Sequence, residues 1–134
     1  MDIVVTTPKA QMEMAVQEAE TIKKAGGGFY FRYLGQQRPK HLNVGDRVFY
    51  VEDGFIRGFA CVTHVTDTPG MVCETSGRQF RAGYYAFMDA ETWTWIKPIP
   101  MNGFQGWRYF DAQTGLEIAG GWLDPKPETE EERP

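Results

Sequence analysis

The chain has 134 residues, of which 42% are hydrophobic and 14% aromatic, with 15 glycines and a formal net charge of −4. A chain of that size forms one domain with a core of its own, and its aromatic, turn-rich composition favours a β-rich barrel or sandwich over a helix bundle. The acidic balance excludes a strongly basic duplex binder, and no stretch approaches the roughly 18 apolar residues needed to span a bilayer.

Ile3-Val4-Val5 reads as a short first strand. Thr7 is an N-cap and Pro8 suits the first helical position. Met12, Ala15, Val16, Ala19 and Ile22 recur at helical spacing, Glu20 and Lys24 form an i,i+4 pair, and Gly26 stops the helix. Phe29 to Leu34 follows as a strand, with Phe29, Phe31 and Tyr33 on one face and Tyr30 and Arg32 on the other. Gly35 to Leu42 is a polar, basic loop. The most readable stretch is the hairpin from Asn43 to Val65. Arg47 to Val51 is β-branched and aromatic, Asp53-Gly54 supplies the positive φ angles of a type I′ turn, and Phe55 to Val65 returns. Ile56, Gly58, Ala60 and Val62 are expected on one face of the return strand, and a mid-strand glycine marks the close approach of another backbone or a ligand. Thr68-Pro69-Gly70 and Ser76-Gly77 are turns on either side of Met71 to Glu74. Tyr84 to Met88 and Thr92 to Ile99 read as strands joined through Asp89-Ala90-Glu91, and Gly106 to Phe110 as a last strand. From Asp124 the chain is Pro- and Glu-rich with no apolar residue, so a domain over 1–123 and a disordered acidic tail over 124–134 are expected. Removing residues 126–134 is predicted to leave the melting temperature nearly unchanged.

That tail carries five acids and two bases, or −3, so the other residues carry −4 − (−3) = −1. Within them Arg32, Arg38, Lys40 and Arg47 cluster around a single acid, Asp46, and Lys97 and Arg108 bracket a loop without acids. A near-neutral domain with local basic patches suits a short single strand or one nucleotide. Met1 to Val5 has neither a basic start nor a long apolar run, so a cytoplasmic location without a signal peptide is expected. Cys61 and Cys73 form no C-x-x-C pair and read as buried free thiols. His41 and His64 share no metal-ligand spacing with them, so neither a metal nor a cofactor is expected. Gly26-Gly27-Gly28 follows a helix rather than opening one and is no phosphate cradle.

The order of strand, helix ending in glycines, aromatic-plus-arginine strand, basic loop and Gly-Asp-Arg hairpin resembles the ASCH domain and its EVE and YTH relatives in the PUA-like superfamily. The matching residues are Gly26 to Arg32 (GGGFYFR), Pro39-Lys40, Gly45-Asp46-Arg47-Val48 and Gly58, over roughly the first half of the chain. The resemblance implies an α+β fold, a small PUA-like β-barrel of five to seven mostly antiparallel strands with one N-terminal flanking helix. It also implies binding of RNA or a modified nucleotide in a cleft beside the barrel. Some ASCH proteins are amidohydrolases of N4-acetylcytidine that use a lysine, a threonine and a glutamate. This chain has Gly-Gly-Gly and a phenylalanine where those enzymes carry the lysine and threonine.

Trp93, Trp95 and Lys97 alternate by two and share a strand face, as do Trp107 and Tyr109 beside Arg108. Such pairs suit a base-stacking platform, each stack being worth ~1–3 kcal/mol, or a barrel core. Arg32, Arg38 and Lys40 suit phosphate contacts or base edges. The expected function is therefore nucleic-acid or modified-nucleotide binding, RNA favoured, through Arg32, Arg38, Lys40, Trp93, Trp95, Lys97, Trp107 and Arg108. The alternatives are an amidohydrolase on a modified nucleoside, with Lys40 as the amine and Glu74 or Glu91 as acid/base, and a protein-interaction module from a phage or mobile element.

Overall fold

A computed structural model of the chain describes residues 1–7, 29–72, 77, 79–111, 116–121 and 124–127. The helix expected between Thr7 and Gly26 lies outside the described residues, as do Cys73 and Glu74. Ten strands are described: β1 (Ile3–Thr6), β2 (Phe29–Gly35), β3 (Arg47–Glu52), β4 (Phe55–Thr68), β5 (Met71–Val72), β6 (Gln79–Phe80), β7 (Gly83–Asp89), β8 (Thr94–Pro100), β9 (Trp107–Tyr109) and β10 (Ile118–Gly121). The link between β7 and β8 is a single 3-10 turn, Ala90–Thr92, capped by the Asp89 side chain. β6 and β10 raise the count beyond the five to seven expected, because such short segments are too brief to show alternation.

Eight strands form one curled, mostly antiparallel sheet, and β5 pairs with β6 apart from it. Its continuous path runs β2-β7-β4-β3-β1-β9, with β8 and β10 attached through β4. The 14-residue β4 organises the sheet, since its first part pairs with β3 and β8 and its second with β7. Asp53 (φ 52°) and Gly54 (φ 82°) both adopt the positive φ angles of the expected tight turn between β3 and β4. One pair, β1 with β3, is parallel.

Two buried clusters lie on opposite faces of the curl. Inside are Ile3, Val5, Leu34, Val48, Ala60, Val62, Ala86, Met88, Trp93 and Trp95, while Val4, Phe49, Val51, Ile56, Phe59 and Ile96 form a second cluster. Ile56 is thus not on the face of Ala60 and Val62, as regular alternation predicted. Tyr50 pairs with Gly58 but Val51 with Ile56, so Arg57 is an extra, bulged residue and everything before it changes face. Gly58 meets its expectation: a Cβ there would clash with the Thr94 carbonyl oxygen and sit 2.7 Å from Trp93 Cζ2.

Among the described residues the path ends at β2 and β9, and side chains join these two strands. Trp107 Nε1 donates to the Leu34 carbonyl (2.9 Å), and the His41 N–H donates to Tyr109 Oη (3.0 Å). One end of the curl is closed by the loop after β2. Gln36 Nε2 donates to the Ala82 carbonyl, Arg38 donates to the Val65 carbonyl (2.7 Å), and Pro39 and Leu42 are buried.

The expected tail begins with contacts rather than free chain. Trp95 Nε1 donates to the Asp124 carbonyl (3.0 Å), and Lys126 pairs with the fully buried Glu52 carboxylate at 2.7 Å. Glu52 also lies 3.7 Å from the buried Arg57 guanidinium. Lys126 has a charge partner that composition cannot disclose, so the neutral deletion predicted from residue 126 is corrected to a destabilising one.

Candidate nucleotide site on the concave face of the sheet

Strand direction places the ends of β1 and β7 and the start of β2 together, away from the loop that closes the other end. Directly paired residues share a sheet face, so the register identifies what points inward there. Tyr30 pairs with Met88 and Arg32 with Ala86, and both partners belong to the inner cluster. Tyr50 and Trp107 each pair with the inward Val5. Tyr30, Arg32, Tyr50 and Trp107 are half-buried on this concave face. The Tyr50 ring meets Trp93 edge-on at 5.4 Å between centroids, and its hydroxyl reaches Met88 Sδ at 3.5 Å.

Burial pushes the Tyr50 phenol well above the ordinary tyrosine range, against the lowering effect of the Arg32 guanidinium, with Tyr30 adding to the rise. At neutral pH this hydroxyl is a protonated donor. A thioether is a weak partner for it, which leaves its donor strength for a better acceptor. The arrangement can therefore hold an anion at Arg32, a planar ring against Tyr30, Tyr50 or Trp107, and an acceptor at the Tyr50 hydroxyl.

The other expected site residues disperse. Trp93 and Trp95 are only 7% and 1% exposed, so they are core rather than an open stacking platform. Large aromatics fill the narrow interior, and Trp95 spends its N–H on Asp124. Lys97 does not continue their face, because β8 breaks register with β4 after Trp95; it is exposed, 3.8 Å from Glu117. Trp107 lines the seam. Arg108 pairs with Val4 on the opposite face, its guanidinium 4.2 Å from the Phe104 ring centre. Arg38 is engaged by the Val65 carbonyl, a structural role. Lys40 is exposed on the closing loop, whereas Glu91 is exposed beyond β7 at the other end of the β2–β7 ribbon, so the amine and carboxylate of a hydrolase are not brought together there. Among the described residues no group of three His, Cys, Asp or Glu side chains could hold a metal, and no helix is long and apolar enough to cross a membrane.

Tyr30 and Tyr50 were not singled out from the sequence. The signal existed: Tyr30 is two residues from Arg32, and Tyr50 lies opposite the crowded Gly58.

Fold and site together describe, among the described residues, a curled half-barrel sheet with an arginine and several aromatics on its concave face. No protein-family model matches the chain, and no curated protein matches it. Among solved structures it is similar to two variants of an ASCH protein from Zymomonas mobilis, ZmASCH. The tyrosine-to-phenylalanine variant has a TM-score of 0.46 at 13% identity, over 83% of this chain and 91% of that one. The serine-to-alanine variant has a TM-score of 0.48 at 12% identity, over 83% and 89%. Both are ASCH structures, the class that the first half of the sequence resembles.

Proposed function

We propose that this domain binds a nucleic acid or a modified nucleotide, RNA favoured, on the concave face of the sheet. The observation that carries the proposal is Arg32, which shares the concave face with the half-buried Tyr30, Tyr50 and Trp107 and acts electrostatically on the Tyr50 phenol. Arg32 contacts phosphate or a base edge, one of the rings stacks the base, and the Tyr50 hydroxyl donates to an acceptor on it. Affinity arises from a few local contacts rather than net charge, so its salt dependence is shallow. Short RNA or a mononucleotide should change the tryptophan fluorescence, because Trp107 borders the site and Trp93 touches Tyr50. Arg32→Ala should weaken binding by about 1–3 kcal/mol, as expected for loss of a charge-assisted hydrogen bond. Lys97→Ala and Arg108→Ala should change it far less. Equal losses from all three variants, or no binding by wild type at millimolar ligand, would refute the assignment.

A further inference from the structure

The last described residues, 124–127, form a short strap against the concave face. Trp95 belongs to the inner cluster and gives its indole N–H to the Asp124 carbonyl. Gly120 pairs with Trp95, and a Cβ on it would sit 2.9 Å from Asp124 Cβ, so the strap passes over this row. From there Lys126 Nζ reaches both Glu52 carboxylate oxygens, at 3.0 and 2.7 Å. Glu52 is the next inward residue after Tyr50 on β3. Val48 lies in the inner cluster and Phe49 and Val51 in the second, so alternation turns Tyr50 and Glu52 to the concave side. Alternate residues of a strand are about 6.7 Å apart, which puts Glu52 one step along the face from the phenol that feels the Arg32 charge.

A buried carboxylate on that face opposes an anionic ligand. Glu52 is fully buried, so water screens its charge little, and a phosphate held at Arg32 would feel it. Lys126 offsets that opposition by pairing with both oxygens. Arg57 is less well placed to do so: it lies 3.7 Å from the carboxylate, and its Nε donates to the Glu52 backbone carbonyl. The strap's own acid turns elsewhere, since Asp124 Oδ2 accepts the Gly121 N–H at 2.6 Å. We infer that Lys126 is a positioning residue of the concave site: by neutralising Glu52 it fits that face to a phosphorylated ligand, a nucleotide rather than an uncharged nucleoside. The inference rests on the concave-face reading and makes the strap part of it. The coupling is reciprocal, so a bound phosphate in turn favours the docked strap.

The test titrates uridine and uridine monophosphate into wild type, Lys126→Ala and the double variant Glu52→Gln/Lys126→Ala. Calorimetry well below the melting temperature reads the affinities, and circular dichroism checks the fold. Lys126→Ala should weaken monophosphate binding about three- to tenfold and uridine binding far less. Removing the carboxylate as well should bring back most of the lost monophosphate affinity. A purely structural role for Lys126 would weaken both ligands alike, so equal losses overturn the inference. So does an unchanged Lys126→Ala, a double variant no better than Lys126→Ala, or a wild type that does not prefer the monophosphate; each leaves the concave-face reading standing. If the double variant does not fold, Lys126→Arg takes its place. It keeps the charge and should bind the monophosphate more tightly than Lys126→Ala does, and an equal loss overturns the inference. If wild type binds neither ligand at millimolar concentration, the concave-face reading fails and this one with it.

Discussion

Replacing Gly58 with valine tests how tightly the hairpin is packed against β8. No left-handed φ is required at this glycine, so the cost comes from contact rather than backbone strain. A new Cβ would overlap the Thr94 carbonyl oxygen and lie 2.7 Å from Cζ2 and 3.2 Å from Cε2 of Trp93. Thr94 is held by its pairing with Phe59, and Trp93 is wedged between Tyr50 and Trp95, so neither neighbour has room to retreat. Overpacking of this kind costs about 1–3 kcal/mol, and the rigid backbone partner places Gly58→Val toward the upper end. At roughly 3–5 °C per kcal/mol for a domain of this size, the melting temperature should fall by about 8–15 °C. Thermal unfolding by circular dichroism reads the loss, and Trp93 fluorescence shows whether the indole has been displaced. A variant that melts within a degree of wild type would mean that Thr94 and Trp93 yield freely, and the close-approach argument would be wrong.

Three other outcomes can be checked. Lys126→Ala leaves the buried Glu52 with Arg57 as its charged partner among the described residues and should cost about 1–3 kcal/mol, read as a lower urea midpoint; an unchanged midpoint would show that the Lys126–Glu52 pair does not hold in solution. Trp107→Phe keeps a ring but leaves the Leu34 carbonyl without its donor, so it should cost about 0.5–1.5 kcal/mol by chemical denaturation, and no loss would show that the seam has another bond. Tyr50 and Tyr85 both have phenols raised by burial above the ordinary value of 10.0. Their contribution to stability is present below that pH and is lost as pH rises through the folded-state values, because the unfolded chain ionises first. Phenolate absorbance should therefore show a late-titrating component that Tyr50→Phe and Tyr85→Phe each diminish, and Tyr50→Phe should flatten the alkaline fall in stability; a titration that neither variant changes would contradict the burial.

The hairpin was legible because its signals are local: Asp53-Gly54 specifies the turn, and the β-branched run before it specifies a strand. The two faces of β2 were legible for the same reason, since alternation alone separates Tyr30 and Arg32 from Phe29, Phe31 and Tyr33. Alternation cannot say which face curls inward, and that decided the tryptophans. Trp93 and Trp95 look equally suited to a platform and a core until the sheet closes over them. The bulge at Arg57 and the register break after Trp95 depend on pairing with distant strands, so Ile56 and Lys97 fell on unexpected faces. Lys126 misled because its partner, Glu52, is remote in sequence and buried in the structure.

The position of β1 has a consequence for how the chain comes to be folded. Ile3 pairs on one side with Val48 and on the other with Tyr109, so β1 lies between two strands that are both made after it, β3 and the much later β9. Its parallel pairing with β3 cannot form as a hairpin and requires closure of a long loop, a slow kind of contact. During synthesis the β3–β4 hairpin can form alone, but β1 keeps an open edge until Trp107 to Tyr109 leaves the exit tunnel. Native structure in this domain is therefore completed only once β9 has been made, and nascent chains stalled before β9 should remain protease-sensitive through β1.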